Sequence, residues 1–131
     1  MIMGIGTDMV EISRIRKACE KESFRVRVYT GEERRQAGDN YSRLAGSFAV
    51  KEAVAKVFGT GFRTFLPLDI EVLRDDLGKP YVVLYGGARK LFDTMKMTKI
   101  HVSITNTSEY ALAFAVGEAE ESPSHSKPSC S

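Results

Sequence analysis

The sequence is poor in cysteine, histidine and tryptophan, and it lacks any long apolar run. Its two cysteines, Cys19 and Cys130, form neither a disulfide framework nor a metal-ligand spacing, so the disulfide-rich and zinc-finger classes are excluded. No apolar run approaches the roughly 20 residues of a membrane span, and residues 1–4 lack the basic start of a signal peptide. These absences predict reduced thiols, a cytoplasmic location and no membrane partner.

The charge balance also lacks a strong excess of either sign. The 19 basic and 17 acidic residues leave a formal net charge of +2, which is not the footprint of a nucleic-acid-binding protein. The basic excess is concentrated in residues 13–35, where Lys and Arg outnumber Glu. We therefore expect no nucleic acid among the partners, and we expect residues 13–35 to present a basic face.

The organisation along the chain predicts one domain over residues 1–117 and a disordered tail over residues 118–131, where Ser, Pro and Glu dominate. Local patterns predict the following elements: a strand over 1–7, a helix capped by Ser13, a short helix opened by a Thr30 capping box, a long helix that ends at Phe58, a hairpin over 69–85, a short helix over 88–95, and strands over 100–105 and 110–116. The mixture predicts an α+β fold.

The long helix carries an acid and a base one turn apart, Glu52 and Lys56. Such an i,i+4 pair is a common surface feature of helices and contributes about 0.3–0.5 kcal/mol. Glu52, however, shares its face with Phe48 and Ala49, and a carboxylate on a core-facing stripe needs a partner because burying it unpaired is costly. That partner is either Lys56 or a cation, and the spacing alone leaves both open.

Asp8 is a second isolated acid, placed after the apolar residues 1–7. It is either a solvated turn residue, a helix cap, or half of a shared cation site with Glu52. Mg²⁺ takes one or two carboxylates together with waters and substrate phosphates. Two acids on separate elements, near a lysine and the glycine-rich turn of Gly59, Thr60 and Gly61, would suit a phosphate-bearing substrate.

Other chemistry-bearing residues are less informative. His101 lies on an apolar strand, where a structural histidine is the commoner finding. The sequence contains no P-loop lysine motif and no dinucleotide fingerprint, and no Ser-His-Asp set is discernible. These absences leave the acids and Lys56 as the main candidates for catalysis.

Five motifs together carry a family resemblance: GIGTDMVEI (4–12), FAVKEAVAK (48–56), FGTG (58–61), GKP (78–80) and HVSIT (101–105). In this order and spacing they resemble holo-acyl-carrier-protein synthases, the small bacterial 4′-phosphopantetheinyl transferases. The resemblance spans residues 1–116. It implies the α+β fold of that family, a small antiparallel sheet packed against a long central helix, and a homotrimer with active sites between subunits.

The resemblance implies transfer of the 4′-phosphopantetheine arm of coenzyme A to a serine of apo-acyl-carrier protein, with release of adenosine 3′,5′-bisphosphate. Asp8 and Glu52 match the two Mg²⁺ ligands, and Lys56 matches a lysine near the pyrophosphate. Glu52 or a metal-bound water would accept the serine proton. On the coenzyme A side the resemblance places the following residues: Lys56, Gly59, Thr60, Gly61, Pro80 and Asn106.

The basic helix is expected to meet the acidic carrier protein, because complementary charge speeds encounter and fixes orientation. Arg14 matches a family position of this kind, and Arg16, Lys17 and Lys21 are inferred from their places on the same helix. The sequence departs from the family at Ser47, where an arginine is frequent, and at Asn106, where a histidine is frequent. Both family residues are thought to lie near coenzyme A phosphates, so weaker donor binding is expected unless other basic groups compensate.

Two other functions remain open from the sequence. One is a non-catalytic protein of the same fold that binds carrier proteins or nucleotides through the basic helix. The other is a metal-dependent phosphohydrolase that uses Asp8 and Glu52 with water as the nucleophile. The pairing of acids with Lys56 favours catalysis over pure binding.

Overall fold

A computed structural model describes residues 1–121 of the chain. In order, its elements are β1 (Ile2–Glu11), α1 (Ile12–Ala18), α2 (Glu22–Val28), α3 (Gly31–Ala37), α4 (Tyr41–Phe58), β2 (Ile70–Arg74), β3 (Pro80–Leu84), α5 (Gly86–Thr94), β4 (Lys99–Asn106) and β5 (Tyr110–Glu118). Two 3₁₀ turns, Gly61–Arg63 and Pro67–Asp69, lie between α4 and β2. Within residues 1–121, no helix combines the length and apolarity that crossing a membrane requires.

The strands form two antiparallel sheets. A three-stranded sheet has the order β1-β5-β4, and β2 and β3 form a separate hairpin. Asp75 closes the hairpin turn, because its carboxylate accepts hydrogen bonds from the amides of Leu77 and Lys79, each at 2.9 Å. The predicted α+β fold with a small antiparallel sheet and a long central helix is confirmed.

Helix α4 is the centre of the core, with twelve of its eighteen residues buried. It packs against β1 and β5, and glycine allows β1 to approach closely. A Cβ at Gly6 would lie 2.0 Å from the carbonyl oxygen of Ala53, and a Cβ at Gly4 would lie 2.5 Å from that of Val57. This approach brings Asp8, two residues beyond Gly6, next to the turn of α4 that carries Glu52.

The capping box predicted at Thr30 and the end of the long helix predicted at Phe58 are confirmed. Thr30 and Glu33 form a complete capping box at the start of α3. Asn40 caps α4 by accepting a 3.0 Å hydrogen bond from the Arg43 amide. Gly59 ends α4 at φ 78°, in the left-handed region where glycine carries no Cβ penalty. These signals are local in the sequence, which is why they could be read without the tertiary structure.

The amino-terminal elements differ from the prediction. Strand β1 continues to Glu11 because it pairs with β5 along its whole length, so Asp8 lies within a strand instead of following one. Helix α1 begins at Ile12, whose amide donates to Glu109 O at 2.9 Å, and Ser13 is therefore not its cap. Helix α2 was not predicted at all.

The carboxy-terminal boundary also differs slightly. Strand β5 ends at Glu118, and the Ala119 amide donates to Met1 O at 2.8 Å. The last strand therefore continues two residues beyond its predicted end at 116. The rest of the predicted disordered tail, residues 122–131, lies outside the described residues.

Candidate active site

Asp8 and Glu52 meet in one surface depression of about 310 Å³. We call it the acidic depression and define it by its lining residues, Asp8, Met9, Val10, Arg14, Ile15, Ala18, Phe24, Phe48 and Glu52. Strand β1 supplies one acid and α4 the other, while α1 and α2 close one side. The close packing of β1 on α4 thus joins two acids that are 44 positions apart in the sequence.

Both carboxylates are held in an unfavourable environment for negative charge. Burial raises the pKa of Asp8, and the nearby charge of Lys56 partly offsets this effect. Burial also raises the pKa of Glu52, the negative charge of Asp8 raises it further, and Lys56 lowers it. Asp8 and Glu52 therefore repel each other, and Lys56 offsets this repulsion only in part.

Lys56 pairs with Asp8 across the helix–strand contact. Its Nζ lies 3.6 Å from Asp8 Oδ1 and donates a 2.8 Å hydrogen bond to Thr7 O. Within residues 1–121 it forms no ion pair with Glu52, so the i,i+4 surface pair that spacing allowed is not the arrangement found. Lys56 remains 55% exposed, which leaves its ammonium group accessible to a ligand.

The four basic residues predicted to contact the carrier protein lie on different surfaces, and Lys21 is not on α1 as predicted but is the N-cap of α2. Arg14 lines the acidic depression. Arg16 lies over the ring of Tyr41, with its guanidinium carbon 5.7 Å from the ring centroid. Lys17 and Lys21 line a larger cleft of about 520 Å³ between α1 and α2. Of the four predicted carrier-protein contacts, only Arg14 shares the depression with the acids.

Helix α2 completes this region and was missed by sequence reasoning. It contributes Phe24 to both the depression and the cleft, and Arg27 to the cleft. Phe24 and Val28 are one helical turn apart, and Glu22 lies in the first turn. That spacing is the signal from which α2 could have been recognised.

The predicted coenzyme A residues do not line the acidic depression. Gly59, Thr60 and Gly61 form the turn that ends α4, one turn beyond Lys56, and Gly59 and Gly61 have φ values of 78° and 62°. Pro80 lies in a groove between β3 and β4. Asn106 ends β4 and donates from Nδ2 to Ser42 Oγ at 2.8 Å, near the start of α4.

Two further features limit the possible chemistry. His101 Nε2 lies 2.8 Å from Glu118 Oε1 on the neighbouring strand, an exposed contact away from the acids. Among residues 1–121, no group of three or more His, Cys, Asp or Glu side chains is arranged to hold a metal. A cation at Asp8 and Glu52 would therefore take its remaining ligands from water or substrate.

Comparisons with known proteins agree with this geometry. The profile of the 4′-phosphopantetheinyl transferase superfamily matches residues 4–115. A holo-[acyl-carrier-protein] synthase from Lachnoclostridium phytofermentans is 54% identical over 118 residues, which cover 90% of this chain and 97% of that protein.

Solved structures of similar proteins include complexes with the donor. A holo-[acyl-carrier-protein] synthase from Helicobacter pylori in complex with coenzyme A superposes with a TM-score of 0.77 at 29% identity, covering 87% of this chain and 99% of that one. The Bacillus anthracis synthase, described in complex with CoA (3′,5′-ADP), gives a TM-score of 0.76 at 36% identity and covers 92% and 99%.

Proposed function

This chain belongs to the 4′-phosphopantetheinyl transferase superfamily, and we propose that it transfers the 4′-phosphopantetheine group of coenzyme A to a serine hydroxyl of apo-acyl-carrier protein. The observation that carries the proposal is the meeting of Asp8 and Glu52 in one depression beside Arg14, with Lys56 bound to Asp8. A protein that only bound a partner would gain nothing from two mutually repelling carboxylates. Relatives with high identity are named as holo-[acyl-carrier-protein] synthases.

We propose Mg²⁺ as the cofactor of this site. The donor set fits, because Mg²⁺ is commonly held by one or two carboxylates and completes its coordination with waters and substrate phosphates. Asp8 and Glu52 would hold it, and binding would relieve the repulsion by Asp8 that adds to the effect of burial on the Glu52 pKa. When bound, the ion would neutralise charge that develops on the pyrophosphate of the donor.

The side chains around the ion would complete the reaction. The serine oxygen forms a bond to the phosphorus of the phosphopantetheine arm, and the bond to the bridging oxygen breaks, which releases adenosine 3′,5′-bisphosphate. Lys56 adds a positive contact to the leaving phosphate. Glu52 would accept the serine proton. Gly59, Thr60 and Gly61 lie within a turn of Lys56 and would contact the donor.

The carrier protein would dock on α1. Arg14 lies at the rim shared with the acids, so an acidic helix bound there would present its serine to the depression. Lys17 and Lys21, beside the cleft between α1 and α2, would extend this contact, and Arg16 would add charge at its edge. The proposed substrates place the reaction in the cytoplasm.

We also propose a homotrimer, and the outer face of the three-stranded sheet supports self-association. Alternate residues of β1 and β5 expose large apolar side chains there, including Ile5 at 60%, Met9 at 60% and Phe114 at 41%. Contiguous exposed apolar side chains of this kind mark interaction surfaces. The number of subunits follows from the resemblance to the family.

The test is a mass measurement on the acceptor. Incubation with coenzyme A, Mg²⁺ and an apo-acyl-carrier protein should add one phosphopantetheine to the carrier, and Glu52→Gln should abolish the addition. Glu120→Gln, at an exposed position, is the matched control and should retain it. Cleavage of coenzyme A without any gain in carrier mass would instead establish a phosphohydrolase, and no reaction at all would leave only a binding protein.

A further inference from the structure

The Glu33 carboxylate lies in the interior between α3, α4 and β2 and accepts hydrogen bonds on both oxygens. The Thr30 amide donates to Oε1 and the Val72 amide to Oε2, each at 2.7 Å. Lys51 Nζ lies 3.0 Å from Oε1 and 2.9 Å from Oε2. Both charged side chains are 1% exposed. We call Lys51 and Glu33 the buried ion pair.

Glu71 continues the polar network around the buried ion pair. Its two carboxylate oxygens accept hydrogen bonds from the Thr30 hydroxyl at 2.6 Å and from the Tyr85 hydroxyl at 2.8 Å. Among residues 1–121, no buried side-chain nitrogen or oxygen of Lys51, Glu33 or Glu71 lacks a hydrogen-bond partner. A buried network in which every group is satisfied makes the surrounding core rigid.

Stability alone does not account for an ion pair in this position. Replacing a buried pair by apolar side chains of similar volume is often neutral or stabilising, because the desolvation of two charges offsets their attraction. Hydrogen bonds fix a distance and an angle, whereas the attraction between apolar groups has no direction. The buried ion pair therefore fixes an orientation of α4 that apolar packing alone would not.

The turn of α4 that carries Glu52 is held on two sides. Lys51 directly precedes Glu52, and its ammonium group is bound to Glu33 on α3. Ala53 directly follows Glu52, and its carbonyl oxygen lies against β1, where a Cβ at Gly6 would be 2.0 Å away. Successive residues of a helix point in directions about 100° apart. Contacts on both neighbours therefore fix the rotation of α4 about its axis, and with it the direction of the Glu52 side chain.

We propose that Lys51 and Glu33 are positioning residues, which hold the turn of α4 so that Glu52 faces Asp8 across the acidic depression. This inference rests on the proposed function, because it concerns the geometry of the same site. In the described part of the chain neither member of the buried ion pair lines the acidic depression, so both act through the helix and not by contact with a substrate. Displacing a catalytic group by about 1 Å can lower a rate about 100-fold.

The experiment uses the double variant Lys51→Met with Glu33→Gln, which removes both charges together. Because no carboxylate is then left without its counter-ion, the double variant should regain about half or more of the stability that Lys51→Met alone loses. Urea unfolding measures this recovery and shows that the variant is folded. Met97→Ala is the matched control, because Met97 is 5% exposed in the core but outside the acidic depression, and truncating it is destabilising in its own right.

Titration calorimetry with Mg²⁺ alone measures the geometry of the two acids without turnover. The folded double variant should bind Mg²⁺ about tenfold more weakly than the wild type, and Met97→Ala should bind it within about twofold of the wild type because only its stability is changed. Unchanged affinity in the double variant would overturn the inference, and so would an equal loss of affinity in Met97→Ala. A wild type that binds no Mg²⁺ would overturn the inference together with the proposed cofactor.

Steady-state kinetics then separates positioning from substrate binding. At saturating Mg²⁺ the kcat of the double variant should be about tenfold lower. Its KM for apo-acyl-carrier protein should stay within about twofold of the wild-type value, because within residues 1–121 the buried ion pair makes no hydrogen bond to α1. A raised KM with an unchanged kcat would overturn the inference. A wild type that binds Mg²⁺ but transfers nothing would overturn the proposed function alone, and the Mg²⁺ affinities would still decide the inference.

Discussion

Lys51 and Glu33 form an ion pair in the interior of the protein. Lys51 Nζ lies 2.9 and 3.0 Å from the two carboxylate oxygens of Glu33, and both side chains are 1% exposed. The same ammonium group donates to Pro67 O and Ile70 O at 2.9 and 2.5 Å. Burial lowers the pKa of Lys51 and Glu33 opposes this shift. Through these hydrogen bonds, Lys51 connects the segment after α4 to the helical turn that carries Glu52.

Lys51→Met should destabilise the protein severely, because it leaves the Glu33 carboxylate buried without its counter-ion. Removing one partner of a buried pair typically costs about 3–5 kcal/mol. Urea unfolding should show this loss, whereas Lys56→Met, which removes an ammonium that is 55% exposed, should cost less than about 1 kcal/mol. Equal losses in the two variants would contradict a structural role specific to Lys51.

Glu52→Gln should stabilise the metal-free protein slightly while abolishing its response to Mg²⁺. Burial and Asp8 raise the pKa of Glu52 in the folded protein. Protonated Glu52 therefore favours the folded state below its unfolded pKa of about 4.3, and this contribution to stability is lost as the pH rises through the folded pKa. The gain should be present at pH 7 and should vanish near pH 4.

Thermal unfolding with and without Mg²⁺ measures both effects. At a Mg²⁺ concentration ten times the dissociation constant, the wild type should gain about 1.4 kcal/mol. Glu52→Gln should show a clearly smaller shift. A shift as large as that of the wild type would remove Glu52 from the metal site.

Tyr29 should make the protein sensitive to alkaline pH. Its hydroxyl is buried and donates to Leu44 O at 2.8 Å, and burial strongly raises its pKa. The unfolded chain releases this proton above about pH 10 while the folded chain retains it, so stability falls by about 1.4 kcal/mol per pH unit from this group.

Tyr29→Phe isolates that contribution. At pH 8 the variant should be about 1 kcal/mol less stable because it lacks the hydrogen bond. Above pH 10 the free energy of unfolding of the wild type should fall more steeply with pH than that of the variant. The two free energies should therefore converge and then cross. Free energies of unfolding are measured by urea titration at each pH. If they change in parallel for the two proteins, Tyr29 has the same pKa in the folded and unfolded states.

Gly6→Ala should disrupt the contact that unites the site. The added Cβ would lie 2.0 Å from Ala53 O, so β1 must move away from α4 and Asp8 must move with it. Overpacking typically costs about 1–3 kcal/mol, and activity should fall as well. Gly31→Ala is the control, because a Cβ there meets nothing within 4 Å, and it should leave both stability and activity nearly unchanged.

Ile5→Glu together with Phe114→Glu should convert the proposed trimer to a monomer. The two residues lie on the exposed face of β1 and β5, where a new carboxylate would have to be desolvated in any interface. Light scattering gives the mass directly. Lys90→Glu, at an exposed position on α5, should leave the mass unchanged.

Sequence reasoning was accurate where a signal was local. The Thr30 capping box and the end of the long helix at Phe58 each depend on residues within about one turn, and each is present. The motifs that placed Asp8 and Glu52 in one family site were also readable, and the fold predicted from them is confirmed. Their assigned roles as metal ligands remain predictions.

What was missed depends on contacts between distant segments. Helix α2 has a short, weak pattern, and β1 is longer than predicted because β5 pairs with it. Lys51 appeared only as part of a motif, although it is almost completely buried and bound to Glu33. No spacing rule relates Gln36 to Arg74, because they come into contact only after α3 and β2 have packed.

The amino-acid order therefore determined the family, the α+β class and the main helix boundaries, since these follow from motifs and from hydrogen bonds within a turn. Only the tertiary structure decided that Lys56 pairs with Asp8 instead of Glu52, and that Gln36 contacts both Arg43 and Arg74. The physical reason is that electrostatic environment depends on burial and on neighbours in space. Neither quantity exists until β1 has packed on α4.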